Sequence, residues 1–203
     1  MKLKVITSNP GKVAEYRRSF SDLGIEMEHL RLPYDEVQTS DLEEVVDKGM
    51  DEIVAKGVRN FIVDDSGLFV DALKGFPGVW SAYAQKTIGN KGVLKLMEGV
   101  KDRGAEFRCC IGCDIEGQRI IVTGVCKGSI TEAESGSEGF GFDPIFTHDG
   151  KRTFAEIPIE EKNEVSHRGN AVKLLIEELK KKGGNPFGNI FGDIFGGGFN
   201  FNV

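Results

Sequence analysis

The 203-residue sequence has only four cysteines, no long apolar run and no excess of basic residues. No apolar stretch approaches the roughly 18 residues that cross a bilayer, so we expect no contact with a membrane. The basic residues at positions 2 and 4 are followed by only a few apolar ones before Asn9 and Pro10. That stretch is too short for the core of a secretory signal, so we expect the protein in the cytoplasm.

The charge balance limits the classes of ligand that the protein is expected to bind. Lysine and arginine number 26 against 32 aspartates and glutamates, which gives a formal net charge of -6. Such an acidic chain is not expected to bind nucleic acid over a general surface. It can still bind a small phosphate ligand, because a few local basic residues and a divalent metal are enough to hold a polyphosphate.

The four cysteines are Cys109, Cys110, Cys113 and Cys126. Cys110 and Cys113 have the CxxC spacing, but neither a second such pair nor a nearby histidine pair completes a zinc site. Buried reduced thiols are therefore favoured over zinc.

The length suits one compact domain, and the sequence pattern mixes strands with helices. Strands are predicted at 2–8, 26–32, 61–63, 105–115 and 118–127, and helices at 10–22, 40–57, 87–98 and from about 168 to the terminal lysines. Ser40 or Asp41 can cap the helix at 40–57. The mixture predicts an α/β fold around a mixed, twisted sheet. We place this domain at residues 1–182.

Residues 183–203 have a different composition, rich in glycine and phenylalanine. Phenylalanine recurs every fourth residue at 187, 191, 195 and 199, which would align the rings on a helix. Each interior glycine costs a helix about 1 kcal/mol relative to alanine, so a free helix is not expected. We predict a low-complexity tail that is disordered unless a partner protein covers the rings.

The segment TSNPGK, residues 7–12, follows the first predicted strand and predicts the start of a helix. Ser8 or Asn9 can cap the helix, and Pro10 suits its first position. The orphan N–H groups of such a first turn attract anions, and Lys12 adds a full positive charge beside them. The segment is therefore either a phosphate-binding turn or, as is more common, an ordinary capped helix.

Two adjacent aspartates, Asp64 and Asp65, follow the strand predicted at 61–63. Ligands of α/β sheets bind at the carboxyl ends of strands. Adjacent carboxylates repel each other unless a cation or hydrogen-bond donors neutralise them, and Mg²⁺ prefers such oxygen ligands. Glu36, in a predicted loop, is a third carboxylate. Taken alone, an aspartate pair more often caps a turn or a helix.

The segment GFGFDPIF, residues 139–146, can approach a ligand closely because of glycines such as Gly141. Phe140 and Phe142 offer aromatic faces on which a base can stack. Asp143 precedes a proline, is held away from helical geometry, and can present an acceptor to a base edge. The alternative is a plain turn with phenylalanines in the core.

The segment EKNEVSHRG, residues 161–169, gathers hydrogen-bond donors at a helix start. Ser166 can cap the helix, and Lys162, His167 and Arg168 supply further donors. A single histidine in this position is usually structural, but the whole group is unusual on an acidic protein.

These segments, together with YDEVQ and DDSGLFVDALKGFPGVWSAY, resemble the inosine triphosphate pyrophosphatase family. The likeness covers about residues 1–182 in the same order and leaves the tail outside it. Asp64 stands where relatives often carry glutamate, so the carboxylate is kept. The resemblance implies a mixed α/β fold with two lobes around a central cleft, and a homodimer. It also implies hydrolysis of ITP, dITP and XTP to the nucleoside monophosphate and pyrophosphate, with Mg²⁺ as cofactor.

The resemblance further implies a role for single residues. Lys12 and Asp65 would be catalytic, with Asp65 as the proton acceptor for the attacking water. Glu36, Asp64 and Asp65 would place the magnesium. The substrate would be bound by Thr7, Ser8, Asn9, Pro10, Gly11, Lys12, Ser66, Phe140, Gly141, Phe142, Asp143, Lys162, His167 and Arg168.

Base selectivity follows from hydrogen-bond donors. Hypoxanthine and xanthine carry an oxygen at C6 that Arg168 or His167 can bind, whereas adenine presents an amino group there. A site built to make such a hydrogen bond can reject the mismatch by about 10⁴-fold. Two alternatives stay open: a Maf-like pyrophosphatase that prefers other bases, and a nucleotide sensor whose tail recruits a partner protein.

Overall fold

The computed structural model describes residues 2–21, 25–35, 37–115 and 117–181. Its strands are β1 (Lys2–Ile6), β2 (Glu26–Leu30), β3 (Phe61–Val70), β4 (Gly104–Ile115), β5 (Gln118–Ile130) and β6 (Phe146–Thr147). They form one sheet in the order β2-β1-β3-β4-β5-β6. β1 pairs in parallel with β2 and β3, and the other neighbours are antiparallel. The predicted mixed sheet is confirmed.

Six helices flank the sheet in the described part of the chain. They are α1 (Pro10–Ser21), α2 (Leu42–Ala55), α3 (Ser81–Thr87), α4 (Gly89–Leu96), α5 (Ile159–Val165) and α6 (His167–Lys181). Predicted caps form at three of them: Asn9 Oδ1 accepts from the Gly11 N–H at 2.8 Å, Asp41 Oδ1 from Glu43 at 2.9 Å, and Ser166 Oγ from Gly169 at 3.1 Å. Short polar side chains thus fix where α1, α2 and α6 begin.

The strand predicted at 61–63 is too short. β3 continues through both aspartates to Val70, and it pairs with β4 along its whole length, from Phe61 opposite Asp114 to Val70 opposite Ala105. The backbone hydrogen bonds of the ladder hold this polar stretch extended although its composition favours a turn.

The helix predicted at 87–98 is confirmed as α4, although α4 is shorter, and α3 before it was not predicted. Gly89 has φ +61°, a left-handed conformation that ends α3 and starts α4. α3 lacks a clear apolar face, because Trp80 before it and Tyr83 within it are 51% and 70% exposed. Residues 81–87 therefore show no helical periodicity of apolar residues from which α3 could have been predicted.

The long strands β3, β4 and β5 run through two packed regions. One region packs α1 and α6 against one face of the sheet and α2 against the other. The second packs the far ends of the strands against α3, α4 and residues 142–157. These regions correspond to the two lobes predicted. None of the described helices has the length and apolar composition that crossing a bilayer requires. Residues 183–203 lie outside the described residues, so the domain boundary at 182 and the tail stay predictions.

Candidate active site

A pocket of about 280 Å³ opens beside the middle of β3, and residues of both packed regions line it. Its walls come from the start of α1, from β3, α3 and the loop before β6, and from α5 and α6. The structure thus brings together these predicted site residues: Asn9, Lys12, Asp65, Ser66, Phe140, Gly141, Phe142, Asp143, Lys162 and His167.

The remaining predicted residues lie elsewhere in the described structure. Asp64 and Arg168 do not line the pocket but are buried behind its wall. Thr7, Ser8, Pro10 and Gly11 do not line it either. Glu36 lies outside the described residues.

The start of α1 forms the phosphate end of the pocket, the name used below for the region around Lys12 and Asp65. Asn9 caps the helix, so one N–H of the first turn is already bonded. The Lys12 Nζ lies 3.2 Å from Asp64 Oδ2 and 3.1 Å from the Asp64 carbonyl oxygen. Lys12 therefore holds its charge at the pocket wall with a carboxylate directly behind it.

Asp64 is a buried carboxylate that makes charged hydrogen bonds. Its Oδ2 accepts from Arg168 NH2 at 3.0 Å and from the Cys109 thiol at 3.5 Å, in addition to the Lys12 contact. Burial raises the pKa of Asp64, but Lys12 and Arg168 outweigh burial, and the pKa is lowered overall. Asp64 Oδ1 is buried without a hydrogen-bond partner among the described residues.

Asp65 follows Asp64 on β3, so its side chain points to the opposite face of the sheet. Asp65 lines the pocket, and its Oδ1 accepts from the Ser66 N–H at 2.8 Å. Strand geometry therefore separates the carboxylates of Asp64 and Asp65, so their repulsion is relieved without a shared cation.

In and behind the pocket wall, mostly buried side chains of opposite charge are paired in a continuous series. Lys162 Nζ lies 2.7 Å from Asp143 Oδ2 and 2.6 Å from Glu15 Oε1. Glu15 Oε2 also accepts from Arg168. We call this set the charge chain; in order it comprises Lys12, Asp64, Arg168, Glu15, Lys162 and Asp143. It joins the phosphate end to the loop that carries Phe140.

Glu15 is the member of the charge chain that sequence reasoning missed. It is only 2% exposed, although α1 otherwise buries apolar residues such as Tyr16 and Phe20. One signal could have found it: Glu15 follows Lys12 by three residues, and this spacing places the two on one side of a helix.

The carboxylates of the chain differ in proton affinity. Burial raises the pKa of Glu15, but Arg168 and Lys162 outweigh burial and lower it overall. Burial raises the pKa of Asp143 as well, and there Lys162 and the Phe140 N–H do not fully offset it. Asp143 is thus the carboxylate of the chain whose pKa is raised and not lowered.

We call the region around Phe140 the base end of the pocket. The Phe140 ring packs against Gly11, where a Cβ atom would lie 2.4 Å from its Cδ1, and the Lys162 Nζ lies 4.9 Å from the ring centre. Phe142 is 3% exposed and belongs to the core, although it also borders the pocket. The glycine therefore permits contact between the two motifs that form the two ends.

His167 and Gln85 line the pocket, and each has a buried polar atom without a hydrogen-bond partner among the described residues. The His167 ring stacks on Phe107 with 4.6 Å between ring centres, and its Nδ1 is buried without a partner among the described residues. Burial, followed by the charges of Arg168, Lys162 and Lys12, lowers the pKa of His167 well below its usual value, so the ring is neutral. Gln85, on α3, was not predicted because α3 itself was not.

The oxygen ligands at the phosphate end fit a hard cation such as Mg²⁺. Asp65 faces the pocket, and Asp64 Oδ1 is unpaired behind it. No cluster of three or more acidic, histidine or cysteine side chains suited to a metal occurs in the described ranges, which do not include Glu36. The four cysteines are buried free thiols, and burial raises the pKa of each, so none presents a thiolate.

Comparison with known proteins identifies the group to which this arrangement belongs. The Ham1 family pattern matches residues 3–178. A dITP/XTP pyrophosphatase of Pyrococcus horikoshii is 49% identical over 181 residues, which are 89% of this chain and 97% of that protein. A dITP/XTP pyrophosphatase of Thermococcus kodakarensis is 50% identical over 182 residues, 89% and 98% of the two chains.

Solved structures agree with the sequence matches. A HAM1 protein from Coxiella burnetii superposes with a TM-score of 0.74 at 29% identity, covering 89% of this chain and 99% of that one. The resemblance inferred from the sequence motifs is confirmed, and so is the fold that it implied. Because the family pattern matches most of its length and relatives share about half of its residues, the chain belongs to the Ham1 family.

Proposed function

We propose that this chain hydrolyses the non-standard purine nucleoside triphosphates ITP, dITP and XTP to the nucleoside monophosphate and pyrophosphate. The relatives named dITP/XTP pyrophosphatase support this activity. The observation that carries it is that one pocket is lined both by the charged pair Lys12 and Asp65 and by the ring pair Phe140 and His167. A triphosphate needs the first pair and a purine base needs the second.

At the phosphate end, the helix start and Lys12 favour negative charge. The partial positive charge of the α1 N-terminus and the Lys12 ammonium bind the phosphate oxygens and stabilise charge that develops on them during the reaction. Asp64 stands behind Lys12 and directs its ammonium group to one place. These groups position the phosphates and stabilise their negative charge, and phosphoryl transfer mainly requires these two contributions.

The reaction is attack of water on the α-phosphorus. A bond forms between the water oxygen and phosphorus, the bond from that phosphorus to the bridging oxygen breaks, and pyrophosphate leaves with the electron pair. Asp65 accepts the proton of the water, because it is the carboxylate that faces the pocket. Asp64 is ion-paired and buried, so it is the less suitable base.

Magnesium is part of the proposal. Asp65 would hold it, with Glu36 as the other candidate oxygen ligand. Asp64, which the resemblance also implied as a ligand, lies on the opposite face of β3 and is paired with Lys12 and Arg168, so it is not placed to share the ion with Asp65. When bound, the ion supplies positive charge to the phosphates and lowers the pKa of its water.

At the base end, the proposed contacts select a purine with oxygen at C6. Phe140 stacks on the base, and neutral His167 can donate a hydrogen bond to the C6 oxygen. Arg168 was expected to read the base as well. Since it binds Glu15, Asp64 and Ser66 behind the wall, we assign it a positioning role towards Asp64 instead. Asp143 and Lys162 hold the loop of Phe140 in place.

Three further parts of the proposal do not rest on the structure, and of these the homodimer follows from the family resemblance, whereas the tail lies outside that resemblance. The protein acts in the cytoplasm, where it removes non-standard nucleotides, and it forms a homodimer. The tail, residues 183–203, contributes to contact with another protein and not to catalysis.

The test is pyrophosphate release from a panel of nucleoside triphosphates. We expect turnover of ITP, dITP and XTP with Mg²⁺, little turnover of ATP, and none without a divalent metal. Preference for dTTP or UTP would support the Maf-like alternative instead. Tight binding of ITP without pyrophosphate release would support the nucleotide sensor.

A further inference from the structure

One polar side chain of the pocket wall has no role in the proposed reaction. Gln85 lies on α3 and lines the pocket. Its Nε2 donates to the Gly141 carbonyl oxygen at 3.2 Å. Its Oε1 is buried, and no described residue hydrogen-bonds to it. Because a buried acceptor without a partner is unfavourable, a ligand that supplies a donor at this point gains affinity.

The contact with Gly141 fixes the orientation of the Gln85 amide. The oxygen and nitrogen ends of an amide have nearly the same shape, and the hydrogen-bond network decides which end lies where. If the amide turned over, Oε1 would face the carbonyl oxygen of Gly141, and two acceptors would oppose each other. Oε1 therefore remains the free end, and it can pair with a donor but not with an acceptor.

The position of Gln85 is at the base end of the pocket. Gly141 lies between Phe140 and Phe142, and its loop is the one proposed to hold the base. Only two residues of the pocket wall, Gln85 and His167, present a buried polar atom without a partner in the described part of the chain. One is a fixed acceptor and the other a neutral ring that can donate.

We propose that Gln85 is a specificity-determining residue whose Oε1 accepts a hydrogen bond from the N1–H of a 6-oxopurine base. The inference rests on the proposed function. Hypoxanthine and xanthine carry hydrogen on N1 next to the C6 oxygen, which matches an acceptor beside a donor. Adenine has a lone pair on N1, so Oε1 would meet an acceptor. Guanine also carries N1–H, and Gln85 therefore does not distinguish guanine from hypoxanthine.

The experiment compares substrates within one preparation of the Gln85→Met variant. Methionine keeps the length of the side chain and removes both polar ends. We expect the ratio of kcat/KM for ITP to that for ATP to fall about 3- to 10-fold, the effect of one neutral hydrogen bond. The ratio of ITP to GTP should not change. Because both members of a ratio are measured on the same sample, partial unfolding does not affect it.

Two controls sharpen the test. Tyr83→Phe alters an exposed residue of α3 that does not line the pocket and should leave the ITP to ATP ratio unchanged. The triphosphate of 1-methylinosine lacks the N1–H, so Gln85→Met should not reduce its turnover further.

Several outcomes would overturn the inference. An equal fall for ITP and ATP would mean that Gln85 only holds the loop of Gly141. A change in the ratio of ITP to dITP would assign Oε1 to the ribose, and an unchanged ITP to ATP ratio would leave Gln85 without any role in selectivity. If the unmodified protein showed no preference for ITP over ATP, the proposed function itself would fail, and this inference with it.

Discussion

The phosphate end of the pocket takes its helix start, its cap and Lys12 from six consecutive residues, 7–12, with only the aspartates of β3 added. The base end collects side chains that are far apart in sequence, namely Gln85, Phe140, Asp143, Lys162 and His167. The first end is a local structure that short-range rules describe. The second end exists only when several elements pack, so it depends on the buried charge chain and on the contact of Phe140 with Gly11. The two ends should therefore respond differently to substitution.

The largest effect should come from Asp65→Asn at the phosphate end. Loss of the proton acceptor should lower kcat about 10²- to 10⁴-fold, and by the same factor for ITP, dITP and XTP, because the phosphates are common to all three. Initial rates of pyrophosphate release measure this, and binding of ITP should be largely kept. A variant with near-normal kcat would remove Asp65 from the mechanism. A loss that differed between bases would show that the two ends are not separate.

Glu15→Gln tests the chain that links the two ends. The substitution keeps the shape of the side chain but leaves Lys162 and Arg168 with one carboxylate fewer in a buried region. We expect the free energy of unfolding to fall by about 3–5 kcal/mol, because a buried charge loses its partner. Urea unfolding followed by circular dichroism measures it.

The matched control for Glu15→Gln is Glu160→Gln. Glu160 also faces an arginine, Arg18, at 3.7 Å, but its side chain is 56% exposed. An exposed pair contributes about 0–1 kcal/mol, so this control should remain nearly as stable as the unmodified protein. Equal losses in the two variants would mean that burial of the charge chain has no special importance.

Gly11→Ala places a methyl group between the two ends. The new Cβ would lie 2.4 Å from Cδ1 of Phe140, so the ring must move. Overpacking of this kind costs about 1–3 kcal/mol, and we expect it mainly as a raised KM for ITP. In a Phe140→Ala background the same change should have little effect, since the clash is gone. If both backgrounds lost the same affinity, the effect would belong to α1 itself.

The smallest effect concerns pH and is confined to the base end. The pKa of His167 lies well below its usual value in the folded protein, whereas in the unfolded chain it is about 6.5. Below about pH 6.5 the unfolded chain binds a proton that the folded protein does not, so stability is full above this pH and falls as the pH decreases. The slope from this one group is at most about 1.4 kcal/mol per pH unit.

Denaturant unfolding between pH 7 and pH 5 measures this slope, and His167→Gln is the comparison. The variant should lose stability less steeply with falling pH than the unmodified protein. Identical slopes would show that His167 does not remain neutral in the fold.

Local sequence patterns were enough to predict the class of fold and the helix start, cap and lysine of the phosphate end. Alternation of apolar residues, caps such as Asp41 and the segment 7–12 act over a few residues, and these short-range rules located α1, α2 and the hairpin of β4 and β5. The order of the motifs in the family resemblance then indicated which segments belong together. Neither kind of signal requires knowledge of what packs against what.

The remaining features of the site depend on how the elements pack together. Pairing with β4 holds Asp64 and Asp65 in an extended strand, although aspartate favours turns. Their side chains therefore point to opposite faces of the sheet. Packing of α1 against α5 and α6 buried Glu15 and turned Arg168 away from the pocket. Gln85 became part of the wall because α3 packs beside the loop of Gly141. These are contacts between residues far apart in the chain, and their energies depend on burial, which no local pattern encodes.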